Sequence, residues 1–512
     1  MLTRPALVSL SLAFVCASAA ASGQEPAGSG AAVQPAQAAQ DPLGPGKGLE
    51  LSLDAAIALA LQQNLGLKIE QLATEVTFYD LRGSWGAFDW VLNAGAGWQD
   101  REFKSTNVFA GTNENTQFAN FGLERPLETG GTFSARFDTT NQKTDSSFAA
   151  EGTSTTDALV LAYKQPLLRG AWREYATSRQ READLVWKRQ SEHEREQRHA
   201  LIRDVSNAYW DLVLARAQLD VARSSLELAG AQLDQDKKRL DAGIGIQLDV
   251  LSAETEVATN EEKVLAAELR VRQAADTLKQ LIFPGTEASI WDTMLVPSTP
   301  LAESASADGV PSWTDALALA IEKRPELRQQ RLSIDQAALR HATRDNERDG
   351  ALDLDLSAAS TGFDGDSYDA FESTAKYEFP TWRAALTYTI PLSNRSARNA
   401  TKAAWAQLRS ARLRYDQLET EIAAEVREAV RQVRYQAEAV RAAKKSLDLA
   451  QRQLQAEQQR RQEGISTNFE VLRLQRDLTT AMNGERTARG NFAKALVALK
   501  AAQGLLADTN TQ

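Results

Sequence analysis

Ten positions between Leu201 and Leu233 constrain this chain more than any others. Leu201, Val205, Ala208, Leu212, Ala215, Leu219, Ala222, Leu226, Ala229 and Leu233 follow one another in alternating steps of four and three residues. That is the a/d frame of a coiled-coil helix, held over more than four heptads. A shift of 221 residues recovers the frame at Ile422, Val426, Ala429, Val433, Gln436, Val440, Ala443, Leu447, Ala450 and Leu454, with Gln436 the only polar member. Beside the first seam runs a second stripe, Leu214, Ala217, Val221, Leu228 and Ala231. A two-stranded rod needs one seam. Two adjacent seams of alternating large and small residues suit a helix wedged between neighbours in a sheet or tube of helices.

The duplication extends beyond this helix. Ala56-Ile57-Ala58-Leu59-Ala60-Leu61 returns 260 residues later as Ala316-Leu317-Ala318-Leu319-Ala320-Ile321, so the chain reads as two copies of one long unit. Each copy opens with a helix, from Leu53 to about Arg82 and from Trp313 onward, with Thr314 a candidate N-cap for the second. The period then drops to two. Trp90, Leu92, Ala94, Ala96 and Trp98 alternate with Val91, Asn93, Gly95, Gly97 and Gln99, and Leu159, Leu161 and Tyr163 with Ala158, Val160 and Ala162. In the second copy Leu352, Leu354 and Leu356 alternate in the same way, followed by Trp382, Ala384, Leu386, Tyr388 and Ile390. Strands with one apolar, aromatic-tipped face suit a barrel wall in lipid, and fit a half-wet soluble sheet almost as well.

Each strand region ends in Pro-Leu, at Pro166-Leu167 and Pro391-Leu392, and hands over to a long helix. From Leu67 to Pro166 is 99 residues and from Leu327 to Pro391 is 64, so the first copy holds about 35 more, all in its β segment. The excess maps to Thr116–Lys143, which reads as two strands joined at Gly130-Gly131. Such a hairpin could extend a barrel or project as an external loop. The long helices, about Gly170 to Asp241 and Arg395 to Gln462, span on the order of 100 Å. Gly243 and Gly464 end them where a left-handed residue is required. Helices of half the length then run back to about Phe283 and Leu506.

Residues 1–21 read as a secretory signal peptide, with Arg4 ahead of an apolar stretch and small residues at Ala17 to Ala21. The only cysteine, Cys16, lies within it. Residues 22–48, poor in large apolar side chains, read as a disordered linker. Residues 49–283 form repeat 1, 284–309 a linker, 310–506 repeat 2 and 507–512 a C-terminal tail. No stretch reaches the ~18 apolar residues of a membrane-spanning helix. A net charge of -10, without basic clusters interleaved with aromatics, argues against nucleic-acid binding. His193 and His199 are six residues apart and His341 is remote, so no zinc ligand set forms. With no phosphate-binding loop and no nucleophile elbow, neither catalysis, a metal nor a cofactor is expected.

The duplicated order of helix, strands, Pro-Leu, long helix, glycine tip and returning helix resembles the TolC-like outer-membrane efflux proteins over nearly the whole chain after the signal peptide. The tips GIGIQLDVLSAE and GISTNFEVLRLQ are similar to that family's Gly-x5-Asp/Glu-Val-Leu signature. The resemblance implies a mostly α fold with a transmembrane β segment: a trimeric β-barrel in the outer membrane of a Gram-negative bacterium, continued by a long periplasmic α-helical barrel. It implies a channel for efflux or type I secretion, working with outer-membrane lipid, a periplasmic adaptor (membrane fusion protein) and an inner-membrane transporter of RND, ABC or MFS type. It places the periplasmic tip and entrance at Gly243, Asp249, Val250, Leu251, Arg461, Gly464, Glu470, Val471, Leu472 and Arg473. Asp249 and Glu470 match the acidic position that narrows the entrance. Arg473 and Arg461 stand where the best-known member has an acidic residue and a tyrosine, and an Asp249–Arg461 pair is expected across the tip. The alternative from another class is a non-channel coiled-coil adaptor or structural protein of the envelope.

Overall fold

The computed structural model describes residues 48–102, 104, 111–145, 153–302, 306 and 309–506. The expected signal peptide, nearly all of the first linker and the C-terminal tail lie outside the described residues. The first copy runs β1 (Leu49–Leu51), α1 (Leu53–Gln63), α2 (Leu65–Ser84), β2 (Val91–Glu102), β3 (Asn113–Pro126), β4 (Thr132–Thr144) and β5 (Thr153–Pro166). It continues through α3 (Trp172–Ala176), α4 (Ser178–Asp241), α5 (Gln247–Ile282), α6 (Ala288–Asp292) and β6 (Leu295–Pro297). The second copy runs α7 (Trp313–Lys323), α8 (Pro325–Asn346), β7 (Ala351–Asp364), α9 (Ser367–Ala375), β8 (Pro380–Thr389), α10 (Arg395–Gln462) and α11 (Asn468–Ala502).

The opening helix of each copy is broken where the sequence pattern reads straight through. Asn64 leaves helical backbone at ψ 125°, its side chain accepts from the Leu67 N–H at 3.0 Å, and its amide donates to the Leu281 carbonyl at 3.0 Å. It caps α2 and ties it to the end of α5. In the second copy the break falls at Arg324, because Pro325 keeps the preceding residue out of the helical region. The cap of α7 is Ser312, accepting from Asp315 N–H at 3.2 Å; Thr314, the expected cap, lies inside the helix. The first long helix is also interrupted, at Thr177 between α3 and α4. Gln436, the polar member of the expected seam, is only half-buried, and Ala437 takes its place in the core.

Residues 284–309 do more than join the copies. Within them β6 pairs in parallel with β1, Leu49 opposite Leu295. The fully buried Tyr209 of α4 locks both, its hydroxyl donating to Leu51 C=O at 3.0 Å and accepting from Thr299 N–H at 2.9 Å.

The remaining strands form one antiparallel sheet in the order β2-β3-β4-β5-β7-β8. The surplus of the first copy enters this sheet as β3 and β4, paired along their length between β2 and β5. The register puts Leu92, Phe121, Phe137, Leu159, Leu354 and Leu386 on one face, and Asn93, Asn120, Asp138, Thr361, Asp355 and Arg383 on the other. Away from the helices, α9 covers polar ends of the apolar face: Ser360 donates to Thr374 C=O at 2.9 Å and Thr374 donates to Asp157 C=O at 3.2 Å.

Below the sheet α4 is the central rod. It packs on α2 and α8 along its upper part and on α5 and α11 along its lower part. Leu201, Val205, Ala208, Leu212, Ala215, Leu219 and Ala229 of the first seam are buried, with Val221 of the second stripe. Rod α10 packs on α7, α8 and α11.

Candidate functional site at the helical tips

Both long helices end in the same hydrogen-bonded device. Ile244 N–H reaches Arg239 C=O at 3.0 Å and Gly243 N–H reaches Leu240 C=O at 2.9 Å. Ile465 with Arg460 and Gly464 with Arg461 repeat this at 2.9 and 3.0 Å. This is a Schellman closure, which requires left-handed backbone at the glycine; φ is 72° at Gly243 and 80° at Gly464. The return is capped in one copy only: Thr467 accepts from Glu470 N–H at 3.4 Å, whereas Ile246 provides no side-chain cap.

The residues after the glycines divide by face. Val250, Val471 and Leu472 are buried between the helices, while Leu251 is exposed. Asp249 is half-buried, and its backbone carbonyl accepts from the Asn468 side chain at 3.3 Å. Glu470 pairs with Arg473 on its own helix at 2.7 Å. The expected Asp249–Arg461 pair does not form within the chain. Arg461 instead donates to Asp236 of α4, whose side chain is 1% exposed.

Asp236 is the centre of this site. Besides Arg461 it accepts from Gln232 at 3.1 Å and from Asn468 at 2.9 Å. A carboxylate so buried requires this full set of donors, because an unpaired charge in such a place costs several kcal/mol. The network joins α4, α10 and the start of α11, and through Asn468 the start of α5, so it ties the tip of one copy to the tip of the other. The heptad register carried the signal for it: Asp236 follows Leu233 by three, and Arg461 follows Leu454 by seven, so both are charged residues on an apolar seam. Nearby, Glu457 accepts from the Ser466 hydroxyl, which with Arg460 holds its carboxyl below the usual range. Around these polar groups the tips present exposed Ile244, Ile246, Leu248, Ile465 and Phe469.

Comparison with known proteins bears on the family and the fold. The family model described as outer membrane efflux protein matches residues 132–282 and 316–505. The alkaline protease secretion protein AprF of Pseudomonas aeruginosa is 24% identical over 319 residues, 62% of this chain and 64% of that protein. The chain thus spans just under two thirds of that relative. Among solved structures, CusC superposes with a TM-score of 0.68 at 14% identity, covering 89% of this chain and 93% of that one. The outer membrane protein VceC of Vibrio cholerae gives 0.65 at 15% identity, covering 88% and 96%. The MtrE outer membrane channel of Neisseria gonorrhoeae, in its open state, gives 0.63 at 16%, covering 88% and 89%. These likenesses are of fold. The family model covers well over half of the residues, and the chain is a member of the outer membrane efflux protein family.

Proposed function

We infer that this member of the outer membrane efflux proteins acts as a homotrimer, an exit duct for efflux or type I secretion standing in a Gram-negative outer membrane with its helices in the periplasm. The observation that carries the reading is a free flank along the protein. On α2, Leu65, Ile69, Leu72, Val76 and Tyr79 follow heptad steps and every one is exposed. On α5, Leu248, Leu251, Leu265 and Leu269 continue that frame, also exposed. The opposite flank, α10, exposes Trp405, Leu413, Tyr435 and Leu449. A soluble monomer rarely leaves contiguous apolar stripes of this size uncovered. Another copy of the chain fits, since α2 leads into edge strand β2 and edge strand β8 leads into α10, so helical flank and sheet edge close together.

In this reading the apolar face of the sheet meets lipid, with Trp90 and Tyr388 towards the helices and Trp98 and Trp382 towards the far rim. The Asp236–Arg461 network holds the tips together. The exposed Ile244, Ile246, Ile465 and Phe469 around it receive a periplasmic adaptor, through which an inner-membrane transporter of RND, ABC or MFS class supplies the energy. The secretion role in the name of the Pseudomonas relative favours a polypeptide cargo as one of the two routes. The test is fractionation with outer membranes, a trimer-sized band in unboiled gel samples, and channels in planar lipid bilayers. A water-soluble monomer that forms no channels refutes the reading.

A further inference from the structure

We propose that three copies of this chain build an eighteen-stranded wall in which the β3–β4 hairpin is part of the barrel and widens the membrane passage. The inference rests on the trimeric reading above and goes beyond it.

The second copy contributes two strands, β7 and β8, and the first contributes four. Without the surplus hairpin, β2 would lie next to β5 and each chain would bring a four-stranded sheet. With it the sheet has six strands, in up-and-down order throughout. β8 of one chain therefore meets β2 of the next antiparallel, which closes the wall without a free edge.

The hairpin is patterned as a wall and not as a projecting loop. Its Phe121, Leu123, Phe133, Ala135 and Phe137 share the apolar face with Leu92 and Leu386. Its other face carries Glu114, Asn120, Glu124, Arg136, Asp138 and Gln142. These polar groups satisfy one another, Arg136 with Asp138 at 2.8 Å and Gln142 with Glu114 at 2.9 Å, as the side of a wall that faces a water-filled lumen requires. The hairpin also joins the aromatic girdle at the helical end. Phe133 packs edge-on to Trp90 at 6.1 Å, and the Arg125 guanidinium stands 5.5 Å over the Trp90 ring while donating to Phe88 C=O at 3.0 Å.

Strand number sets bore. With strands ~4.8 Å apart and tilted by ~40°, eighteen close to a backbone diameter of about 36 Å and twelve to about 24 Å. Less side chains of ~5 Å on each side, the open bores are about 26 and 14 Å, a difference of about threefold in cross-section.

The test uses single cysteines, Leu92→Cys, Asn120→Cys and Phe121→Cys, in the full chain, labelled with a small fluorophore and placed in phosphatidylcholine vesicles. The label at 121 is expected to be quenched by brominated lipid as strongly as at 92, and the label at 120 by aqueous iodide. If 92 is quenched by lipid and 121 is not, the hairpin lies outside the wall and this inference falls while the channel reading stands. If neither is quenched, the sheet is not in the membrane and both fall. Deleting residues 113–144 in a tip-opened Arg461→Ala background gives the second measurement. Conductance should drop about threefold, and an unchanged conductance overturns the wide wall.

Discussion

At the scale of residues, Asp236 and Arg461 carry the largest consequence. Replacing Arg461 by Ala leaves a buried carboxylate with two neutral amide donors and no counter-charge, a loss of about 3–5 kcal/mol for a pair of this kind. The loss also cuts the tie between α4 and α10 at the tip, so Arg461→Ala is expected to raise single-channel conductance in planar bilayers. Asp249→Ala removes a half-buried side chain whose residue is held, among the described residues, through its backbone N–H and C=O, and should leave conductance unchanged. The opposite order would show that Asp249 holds the tip. A second residue-scale expectation concerns Glu326, beside the break at Arg324. Burial pushes its carboxyl up, but the hydrogen bond and charge of Arg324 outweigh burial and hold it below the usual value. A lowered folded pKa means stability present at neutral pH and lost as pH falls through that value. The melting temperature of Glu326→Gln should therefore lie below that of the unaltered protein at pH 7, with the gap closing in acid. A gap that is constant with pH would mean that packing, and not charge, is what the variant lost.

At the scale of elements, the tip glycines fix where each rod stops. Both sit in left-handed backbone with open space around an added Cβ, so Gly464→Ala costs conformational strain alone, about 1 kcal/mol. Gly464→Asn should cost less, because Asn tolerates that region better. Urea titration of the two variants checks the order, and equal midpoints would mean that the turn relaxes out of the left-handed state. These elements show where the sequence was legible. Long periodic runs and glycine stops are local, so the bounds of α10 and the tip closures follow from residues close together in the chain. The break at Asn64 did not follow from periodicity, because the apolar frame Ala58, Leu61, Leu65 and Ile69 continues across it, and the break at Thr177 opens a polar run, Thr177 to Glu182, in which there is no apolar period to read. Asn64 breaks its helix through a hydrogen bond to Leu281, 217 positions away, and no local window contains it. The partner of Arg461 was missed for a related reason. Asp249 and Asp236 are both acidic and both near the tip, and only the direction in which each faces from its helix decides between them. The seam position of Asp236 held that direction. The pairing of β6 with β1 left no local trace, since three residues in a Pro- and Ser-rich stretch are too few for a period.

At the scale of the whole molecule, the unpaired flank makes the assembly testable independently of transport. Leu65, Ile69, Leu72, Val76 and Tyr79 repeat the four-three stepping that identified the long rods. Among the described residues no helix of the same chain faces this seam, and its residues are exposed where those of α4 are buried. Each large apolar side chain that such a seam buries is worth about 1.5–3 kcal/mol, repeated at three interfaces if three copies close. Two glutamates on the seam, Leu72→Glu with Val76→Glu, would bury charges in every interface while leaving the packing of α2 on α4 untouched. The double variant should migrate as a monomer in mild detergent with its helical circular dichroism intact. The control Glu75→Lys, an exposed position between the two, should stay trimeric. Retention of the trimer by the double variant would place the subunit contact elsewhere. It would also remove the reason for joining β8 to β2, since sheet edge and helical flank lie on one continuous side of the chain.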